Sequence, residues 1–509
     1  MSAPTAYAQS IVGQVVDAVT QEPLPGATVV VLGDTTAVLG GDATDLDGRF
    51  SITGVPAGTY SLRASFIGYA PAERTDIVLQ GSRPTFVLFE LRESLVELGE
   101  EVVVEAELFR QADDAPVSVQ TLGAEEVRRT PGGQNDISRS LLSLPGVSGG
   151  VDNRNDLLIR GGGPSENAYF VDGIEVPQIN HFATQGAAGG ALGLLNVDFI
   201  REATFYTGGF PVRYGDAASS VLLVQNRPGS PELIAGDFTI GATEAALSLD
   251  GATGDDFNWS FSARRSYLQL LFELLDLPIR PAFWDFQTRL EWTPTRDDRL
   301  LFFGLGAIDD FDIVQPDDPD DFEGQEIVSS VLDNDQRSYT TGLSWRRLVP
   351  GGFVTTAFSR SYQDFAFRDR DENEVALLAN DSQETAWRLR SDGDFKLSRS
   401  LTLGAGGGAS REAIVSDFFQ RSTPANRLPA DLQFSTDLGL WKTFAYAQLT
   451  SQLLGGRLAL TGGLRIDAND FTDNAVVVSP RATATYDLTS KVSVNAAVGR
   501  FTQSPELIS

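Results

Sequence analysis

The sequence is poor in residues that carry chemistry: among 509 residues it has no cysteine, one histidine and three lysines. Without cysteine, neither a disulfide framework nor a thiolate metal site can form. The single histidine, His181, excludes zinc sites built from several histidines, and its neighbourhood PQINHFATQG carries no nucleophile-elbow pattern. We therefore expect no catalytic residue, no metal site and no cofactor, and a protein that is not an enzyme.

Positive charge is also scarce. The formal net charge is −30, which argues against nucleic acid as a partner because phosphate contacts need a basic surface. Nearly all of the basic residues are arginines. Two explanations for an acidic, lysine-poor chain stay open, namely a high-salt habitat and a genomic base composition that favours arginine.

Long apolar runs are missing from the sequence as well. No run approaches the roughly 18 to 20 residues that a membrane helix requires, and the most apolar stretch, at 266–279, contains Glu273 and Asp276. A helical membrane span is therefore excluded. Residues 1–10, MSAPTAYAQS, end in small residues that resemble a signal-peptide cleavage site, but they lack the charged and apolar parts of such a peptide. Either the start codon is misassigned and these residues are a signal-peptide remnant, or the resemblance is a coincidence, and we favour the remnant.

Residues 11–92 are predicted to form a small all-β sandwich, because short strand-forming runs alternate with turn signals. Characteristic positions are Gly13, Pro25-Gly26-Ala27, Asp45, Asp47-Gly48, Phe50, Gly58-Thr59-Tyr60 and Gly68-Tyr69. On these positions the segment resembles the carboxypeptidase regulatory-like domain, which implies no peptidase activity. Asp45 and Asp47 offer carboxylates for calcium, but aspartates before glycine commonly form turns, and we favour the turn.

Residues 93–117 link this unit to the next one and contain a short strand-forming run. The run is Glu101-Val102-Val103-Val104-Glu105, three valines between two glutamates. An extended β-branched segment of this kind suits strand addition to the sheet edge of another protein. Alternatively, it forms the last strand of the first domain. Its position directly before the next unit favours pairing with a partner.

Residues 118–228 are predicted to form a small mixed α/β unit that is rich in glycine. Two short helical patterns, at 124–128 and 137–144, are each ended by proline or glycine. Four strand-like runs follow, each broken by glycine, and they read DLLIRG, AYFVDG, DFIREATFYTGG and SSVLLVQN. Glycine at this density favours tight turns and close backbone approach rather than flexibility alone.

Residues 229–509 differ in texture, because successive runs alternate apolar or small side chains with polar ones. In LALTGGLRI, at 458–466, Thr461 and Arg465 lie on one face. The other face carries Leu458, Leu460, Gly462, Leu464 and Ile466. Period-two alternation predicts strands of a sheet with one apolar side.

The connections between these strands alternate in length. Tight links lie at 295–299, 350–352, 398–400, 453–457 and 489–491, and mostly longer links at 268–283, 310–335, 369–383, 416–437 and 469–476. This alternation is typical of an outer-membrane β-barrel with short periplasmic turns and longer outer loops. We expect twelve or thirteen strands, because residues 232–250 form either one strand or a tight hairpin. Aromatic residues near strand ends fit interfacial girdles, and they are Trp292, Phe302, Phe303, Trp345, Trp441, Tyr446 and Tyr486.

Motifs in both of the last two units carry a resemblance to one family. In the glycine-rich unit they are Leu144-Pro145-Gly146-Val147, Ile159-Arg160-Gly161, Val171-Asp172-Gly173-Ile174, Ile200-Arg201-Glu202-Ala203, Tyr206-Thr207-Gly208-Gly209 and Tyr214-Gly215. In the strand region they are Arg264-Arg265-Ser266-Tyr267, Ser479-Pro480-Arg481, Gly499-Arg500-Phe501 and Gln503-Ser504-Pro505. Together they resemble a TonB-dependent outer-membrane receptor, whose plug domain matches the glycine-rich unit. Arg201 and Ala203 are modest departures from the family pattern.

The resemblance implies a mainly β fold: an N-terminal β-sandwich, a small α/β plug domain and an antiparallel transmembrane β-barrel. The family usually closes its barrel with 22 strands, so a chain with 12–13 strands is expected to be incomplete and truncated at its C-terminus. An open barrel edge in lipid would leave backbone groups unpaired at a cost of several kcal/mol each.

The resemblance also implies a function, which is ligand import across the outer membrane of a Gram-negative-type bacterium. Outer-membrane lipid and the periplasmic energy-transducing protein TonB are the expected partners, with TonB pairing with Glu101–Glu105 and displacing the plug. The ligand stays unidentified. A competing interpretation is a surface-attached adhesion or carbohydrate-binding protein, in which the strand region would form soluble sandwiches without transport.

Candidate ligand contacts lie in the plug. Arg154 and His181 are the first candidates, with His181 in a loop where a solvated side chain is expected. Arg160 and Asp172 stand beside strand ends, where turn geometry and packing against the barrel wall compete with ligand contact. The acidic run at 309–326 either binds cations or forms a solvated outer loop, and we favour the loop because dense like charges repel.

Overall fold

The computed structural model describes most of the chain in three parts. The described residues are 9–33, 38–79, 84–94, 117–150, 154–187, 189–231, 234–314, 324–325, 327–328, 331–370, 375–423, 428–473, 475–489 and 492–505. The predicted partner segment Glu101–Glu105, nearly all of the signal-peptide remnant and most of the acidic run at 309–326 lie outside them. Among the described residues, no helix is long and apolar enough to cross a membrane.

The N-terminal part is a sandwich of two four-stranded sheets, as predicted. Its strands are β1 (Gln9–Asp17), β2 (Thr28–Leu32), β3 (Val38–Ala43), β4 (Arg49–Val55), β5 (Gly58–Ser65), β6 (Tyr69–Ala70), β7 (Ala72–Leu79) and β8 (Thr85–Glu93). The sheet orders are β4-β1-β8-β6 and β3-β2-β5-β7. Alternate residues of the strands are fully buried between the sheets, among them Val29, Leu62 and Phe89. This alternation is what period-two patterning with one buried face produces.

The turn between β3 and β4 uses Asp45 as a turn former. Its carboxylate accepts the backbone N–H groups of Asp47 at 2.9 Å and Arg49 at 2.8 Å. Gly48 has a φ of +71°, which an L side chain rarely adopts. The turn interpretation of Asp45 therefore matches its hydrogen bonds.

The plug unit packs helices and short strands around a five-stranded sheet of order β13-β12-β17-β16-β9. Its elements are β9 (Val119–Gly123), α1 (Ala124–Arg129), α2 (Ile137–Leu142), β10 (Val147–Gly149), β11 (Leu157–Ile159), β12 (Asn167–Val171), β13 (Ile174–Val176), β14 (Asn180–His181), β15 (Leu192–Gly193), β16 (Ile200–Tyr206) and β17 (Ser220–Asn226). Both predicted helices and all four predicted strand runs are present. Helix α2 begins at an N-cap, Asp136, whose carboxylate accepts the N–H of Ser138.

The third part is an antiparallel meander that, in the described residues, contains thirteen strands. They are β18 (Ala235–Ile240), β19 (Glu244–Thr253), β20 (Phe257–Ser266), β21 (Ile279–Trp292), β22 (Asp298–Ile313), β23 (Asp333–Val349), β24 (Gly352–Arg370), β25 (Ala376–Ser398), β26 (Leu401–Gln420), β27 (Leu432–Leu453), β28 (Leu458–Asn469), β29 (Val476–Thr489) and β30 (Val492–Gly499). Residues 235–253 form a hairpin rather than one strand, which decides the count in favour of thirteen.

Several predicted links are shorter in the structure than the sequence indicated. The link predicted at 369–383 shrinks to the residues between Arg370 and Ala376, because β24 and β25 extend further. The long link after β20 also contains a helix, α3 (Leu268–Leu274), which was not predicted. From β20 onward, the alternation of tight and longer links nevertheless holds along the meander.

The apolar side of the meander faces outward and its polar side faces the plug. In β28, Leu460, Leu464 and Ile466 are exposed, whereas Thr461 and Arg465 are buried. A sheet in a soluble sandwich buries its apolar face. The competing interpretation of soluble sandwiches does not fit the strand region, because here the polar face is the buried one.

Two of the predicted girdle aromatics point inward instead. Trp292, Trp345 and Trp441 are half-exposed on the outer face, as expected. Phe303 is fully buried and packs into the plug core, and Tyr446 is buried on the inner face. Period two separates the two faces of a strand, but an aromatic residue suits either face.

Candidate functional site: the plug–wall interface

Arg160 joins three plug motifs that are far apart in sequence. Its backbone N–H donates to the Gly146 carbonyl at 3.0 Å. Its guanidinium passes Gly208, where a Cβ would lie 3.3 Å from Nη1, and donates to Ser118 Oγ at 2.5 Å. Arg160 and the following Gly161 have φ values of +52° and +89°. The pair forms a left-handed turn that directs Arg160 toward the first described residues after the 95–116 segment.

The LPGV motif forms a turn with the geometry that its residues favour. The Val147 N–H donates to the Leu144 carbonyl at 3.2 Å, with Pro145 and Gly146 between them. Gly146 has a φ of +82°. Proline followed by a left-handed glycine is typical of a type II turn.

Asp172 connects a hairpin, a neighbouring strand and the barrel wall. Asp172 and Gly173, with φ values of +50° and +81°, form the two-residue turn between β12 and β13. The Asp172 carboxylate accepts the backbone N–H of Asn226 at 2.9 Å and its side-chain amide at 2.8 Å. Arg289 Nε of β21 lies 3.5 Å from the same carboxylate. Turn geometry and wall packing, rather than ligand contact, account for these contacts.

Tyr214 and Gly215 lie against wall arginines. The Tyr214 ring centroid is 5.2 Å from that of Phe170 and 5.5 Å from the guanidinium of Arg390. A Cβ at position 215 would overlap the guanidinium of Arg465, so any larger residue there would have to displace that side chain. Gly209, with a φ of +66°, lies beside the wall strand β30.

The sequence did not show that wall arginines hold the plug, although Arg481 belongs to the motif Ser479-Pro480-Arg481. Arg481 Nη1 donates to the carbonyls of Phe210, Pro211 and Tyr214 at 3.1, 2.7 and 2.8 Å. Arg465 donates to the carbonyls of plug residues 212 and 213 at 3.4 and 3.2 Å. The sequence signal that could have identified these arginines is their position, because they lie on the polar face of strands whose other face is apolar.

His181 is fully buried between the plug and the wall, so the expected solvated state is wrong. Its Nδ1 lies 2.5 Å from Asp309 Oδ1, and its Nε2 lies 3.1 Å from Asp285 Oδ2. The ring stacks on Phe283 at 3.9 Å, and Arg264 Nε donates to Asp285 at 2.6 Å. Burial lowers the pKa of His181, but the two carboxylates outweigh burial and raise the pKa above its ordinary value. His181 thus connects the plug to β21 and β22.

The residues after His181 continue this attachment along the wall. The Ala183 N–H donates to Gln336 Oε1 at 3.1 Å, and Gln336 Nε2 donates back to the Ala183 carbonyl at 2.7 Å. The Gln185 amide donates to Ser382 at 2.6 Å and to Glu384 at 2.8 Å. Residues 181–185 therefore bind four wall strands, β21, β22, β23 and β25, in succession.

Arg154 lies beside this segment and is partly exposed. Its guanidinium donates to Asp156 Oδ2 at 2.9 Å and to the Thr184 hydroxyl at 2.7 Å. Thr184 and Gln185 lie at the end of the barrel that carries the longer links. Of the two predicted ligand contacts, Arg154 and His181, Arg154 is therefore the accessible one at that end.

A charged cleft separates the plug from strands β24 to β28. It comprises adjoining cavities of about 160 and 300 Å³ that share many lining residues. Arg388 of the wall lies 3.2 Å from Glu175 of the plug and 3.5 Å from Glu412. Lys442 lies 2.8 Å from Asp216 of the plug and 3.1 Å from Glu412. Plug and wall are thus joined here by alternating charges rather than by apolar packing.

Comparisons with known proteins agree with this architecture. The family model of the TonB-dependent receptor plug domain matches residues 111–221, and that of the TonB-dependent receptor-like β-barrel matches residues 282–507. The chain belongs to the TonB-dependent receptors. This receptor is accordingly an outer-membrane protein, and its first part matches the carboxypeptidase regulatory-like domain over residues 10–92.

The chain spans only part of the length of the relatives that it matches. It is 30% identical over 243 residues to the TonB-dependent transporter Oar of Myxococcus xanthus, and the matched region covers 45% of this chain and 21% of that protein. A solved variant of the ferric enterobactin receptor of Pseudomonas aeruginosa has a TM-score of 0.59 and 17% identity. The siderophore receptor PirA of Acinetobacter baumannii has a TM-score of 0.57 and 15% identity. Each of these two structures covers 78% of this chain, and the chain covers 63% of each of them.

Proposed function

We propose that this receptor imports a ligand across the outer membrane and that TonB supplies the force that displaces the plug. The charged cleft between the plug and strands β24 to β28 carries the proposal. Ion pairs next to water are individually weak, and water replaces them at low cost. On the side of strands β24 to β28, plug displacement therefore exchanges weak ion pairs for contacts with water, whereas on the side of β22 it also separates Phe303 and Leu305 from the plug core.

TonB is proposed to pair with Glu101–Glu105 by strand addition. Three consecutive valines favour the extended conformation that this pairing needs. The first plug strand, β9, begins at Val119, so 13 residues separate it from Glu105. Force applied to the segment therefore reaches the edge of the plug sheet directly along the chain.

Arg154 is proposed as a ligand contact at the outer end of the plug. Its guanidinium is partly exposed and is already positioned by Asp156 and Thr184. A positioned guanidinium binds carboxylate or other anionic groups with little loss of entropy. We assign His181 to plug seating instead, because its ring is fully buried.

The TonB pairing is tested with peptides. A peptide of residues 95–111 is titrated calorimetrically with the purified periplasmic domain of TonB. Val103→Pro removes a backbone donor from the ladder and is expected to abolish binding, whereas Val103→Thr keeps the strand-forming backbone and binds. Equal binding of the Val103→Pro and unmodified peptides would contradict strand addition.

Plug displacement is tested by labelling cysteines, since the chain has no natural one. Ser361 lines the cleft and is buried. We expect a membrane-impermeant maleimide to label Ser361→Cys several-fold faster in cells that contain TonB than in cells that lack it. Asp473→Cys, in the exposed link after β28, serves as the control and labels equally in both. Equal labelling of Ser361→Cys in both strains would overturn the proposal.

A further inference from the structure

The N-terminal sandwich contacts the barrel at the links that are periplasmic in this architecture. Asp47 Oδ1 lies 2.9 Å from Arg296 Nε, in the tight link between β21 and β22. The Arg49 guanidinium donates to the Asp255 carbonyl at 2.7 Å, in the tight link between β19 and β20. Tight links face the periplasm in outer-membrane barrels. One end of the sandwich therefore rests on the periplasmic rim.

A second set of contacts lies further along the same rim. Lys396 Nζ, near the end of β25, lies 2.7 Å from Glu93 Oε1 and 3.6 Å from Asp17 Oδ2. Arg346, near the end of β23, donates to the Gln21 side chain at 3.1 Å. The sandwich thus reaches the ends of strands from β19 to β25.

All of these contacts come from the same end of the sandwich. The register of its strands shows which residues lie at that end. β1 pairs with β4 so that Gln14 opposes Arg49, and with β8 so that Asp17 opposes Leu91. Asp17, Arg49 and the end of β8 consequently lie together. The opposite end, where residue 9 pairs with Val55, points away from the rim.

The charge that Asp17 presents to the rim is maintained by its surroundings. Burial raises the pKa of this carboxyl, but the backbone N–H groups of Thr20 and Val19, the Tyr69 hydroxyl and Lys396 outweigh burial and lower the pKa. Asp17 is therefore ionised at neutral pH and attracts Lys396.

The sandwich also contacts the plug itself. Arg74 Nη1 of β7 lies 3.7 Å from Glu202 Oε2 of β16. β16 is the strand that pairs with β9, the first strand of the plug. With contacts to the rim and to the plug, the sandwich lies across the periplasmic side of the plug.

We propose that the N-terminal sandwich is a periplasmic cover of the plug and that it must leave the rim before the plug is displaced. The proposal rests on the proposed function, because it assigns an order to events of TonB-driven import. The contacts that hold the cover are a few ion pairs and hydrogen bonds, and the pair of Arg296 with Asp47 is exposed to water. Such contacts are weak singly and are screened by salt, so the cover is removable.

Chain length makes this order necessary. Glu93 is held at Lys396, and Glu105 lies 12 residues further along the chain. Twelve fully extended residues span about 40 Å. While Glu93 stays on the rim, the TonB segment therefore moves no further than about 40 Å from it. Longer travel requires that the sandwich detach.

Crosslinking in the whole receptor tests the docked position. A short bismaleimide is applied to Glu93→Cys/Lys396→Cys in outer-membrane vesicles, and crosslinking appears as a gel shift. The control pair, Ala57→Cys/Lys396→Cys, places its first cysteine at the far end of the sandwich and is expected not to react. Equal yields for the two pairs would overturn the docked position.

Single-molecule pulling tests the order of events. A covalent handle inserted after Glu105 is pulled away from receptor held in a lipid nanodisc. In the uncrosslinked receptor, we expect a first release that weakens with added KCl, followed by extension of the plug. In crosslinked Glu93→Cys/Lys396→Cys, extension is expected to stop at about 40 Å. The control, Arg63→Cys/Glu73→Cys, crosslinks two residues within the sandwich that form an ion pair at 3.0 Å, and it should extend as the uncrosslinked receptor does.

The outcomes separate this proposal from the proposed function. Plug extension beyond about 40 Å with the crosslink in place would overturn the cover. Failure of the 95–111 peptide to bind TonB would count against TonB-driven import. The pulling result does not depend on TonB, because the handle replaces it.

Discussion

At His181, burial and neighbouring charge act in opposite directions. Burial favours the neutral ring, but Asp309 and Asp285 raise its pKa, and Arg264 on β20 balances part of their charge. A raised pKa means that the folded state binds the proton more tightly than the unfolded chain. The contact therefore stabilises the seated plug fully below about pH 6.5, and this stabilisation is lost as the pH rises through the folded-state pKa.

We predict that His181→Gln weakens plug seating near pH 6 by about 3 kcal/mol, because two buried carboxylates lose their cation. The measurement is hydrogen exchange of residues 180–185 in the intact receptor, corrected for intrinsic rates. Protection in the parent receptor is expected to fall as the pH rises above about 6.5. In His181→Gln, protection should be low and independent of pH over this range.

The matched control for His181 is Arg154→Gln, which removes a partly exposed ion pair with Asp156. We expect it to change protection by less than about 1 kcal/mol. Should His181→Gln retain the pH dependence of the parent receptor, the charge on His181 is not what seats the plug.

Gly215 provides a second residue-scale prediction. In Gly215→Ala, the new methyl group displaces the guanidinium of Arg465 and breaks its bonds to the plug carbonyls. We expect a loss of about 2 kcal/mol of plug stability, measured by calorimetry of the plug transition. Gly462→Ala on β28 is the control, because no atom lies within 4 Å of the added Cβ. Equal effects of the two substitutions would show that Arg465 does not set the requirement for glycine.

In the proposed mechanism, β9 is the first element that carries force from Glu101–Glu105. It is the edge strand of the plug sheet and pairs with β16 in an antiparallel register that joins Val119 to Tyr206. Ser118, directly before it, accepts from the Thr207 N–H at 2.9 Å and from Arg160 at 2.5 Å. Force applied before Ser118 loads this end first, so the ladder bonds of β9 break one after another.

We predict that Arg160→Ala lets β9 detach about five-fold faster at a given force, because one hydrogen bond to a charged group, worth about 1 kcal/mol at an exposed site, is lost. Constant-force pulling from a handle after Glu105 measures the rate. Arg139→Ala on α2 is the control, since Arg139 lies outside the β9–β16 pair. A detachment rate in Arg160→Ala equal to that of the control would exclude Arg160 as part of the hold on β9.

What the sequence reveals about an element depends on how its two faces differ. In β28 one face meets an apolar surrounding and the other the plug, so LALTGGLRI shows period two and the strand is predictable. The strand ends that the sequence assigned to a link, at 369–370 and 376–383, read DR and ALLANDSQ and show no period-two alternation. The pattern fades there, and the sequence predicts a link at 369–383 where the structure has strand. The N-cap of helix α3, Tyr267, makes no side-chain capping bond, so the start of the helix carries no capping signal.

The site is less predictable than the fold, because its partners are distant in sequence. Asp172 and Gly173 are recognisable as a turn since the motif is local. Asp285 and Asp309 lie 104 and 128 positions from His181, and no local pattern connects them. The sequence shows that inward-facing arginines and aspartates exist, but only the closed arrangement of plug and wall determines which of them pair.

At the scale of the molecule, two solvents act on the exposed apolar side chains. Leu464, in the middle of β28, is 45% exposed on the outer face, and Leu46, in the sandwich turn, is 69% exposed. In an outer-membrane protein, the first meets lipid and the second meets water. The same residue type occupies both positions, but an introduced charge is expected to destabilise the receptor only at the position that meets lipid.

We predict that Leu464→Arg destabilises the folded receptor in vesicles by about 2 kcal/mol, because the lipid face tolerates charge poorly away from the interfaces. Leu46→Arg is expected to change stability by no more than about 0.5 kcal/mol, since water solvates the guanidinium. Urea titration in lipid vesicles, followed by the heat-modifiable shift in gel migration, measures both. If Leu464→Arg were as neutral as Leu46→Arg, the outward apolar face would not be in contact with lipid. The inverted polarity of the strands would then need another cause.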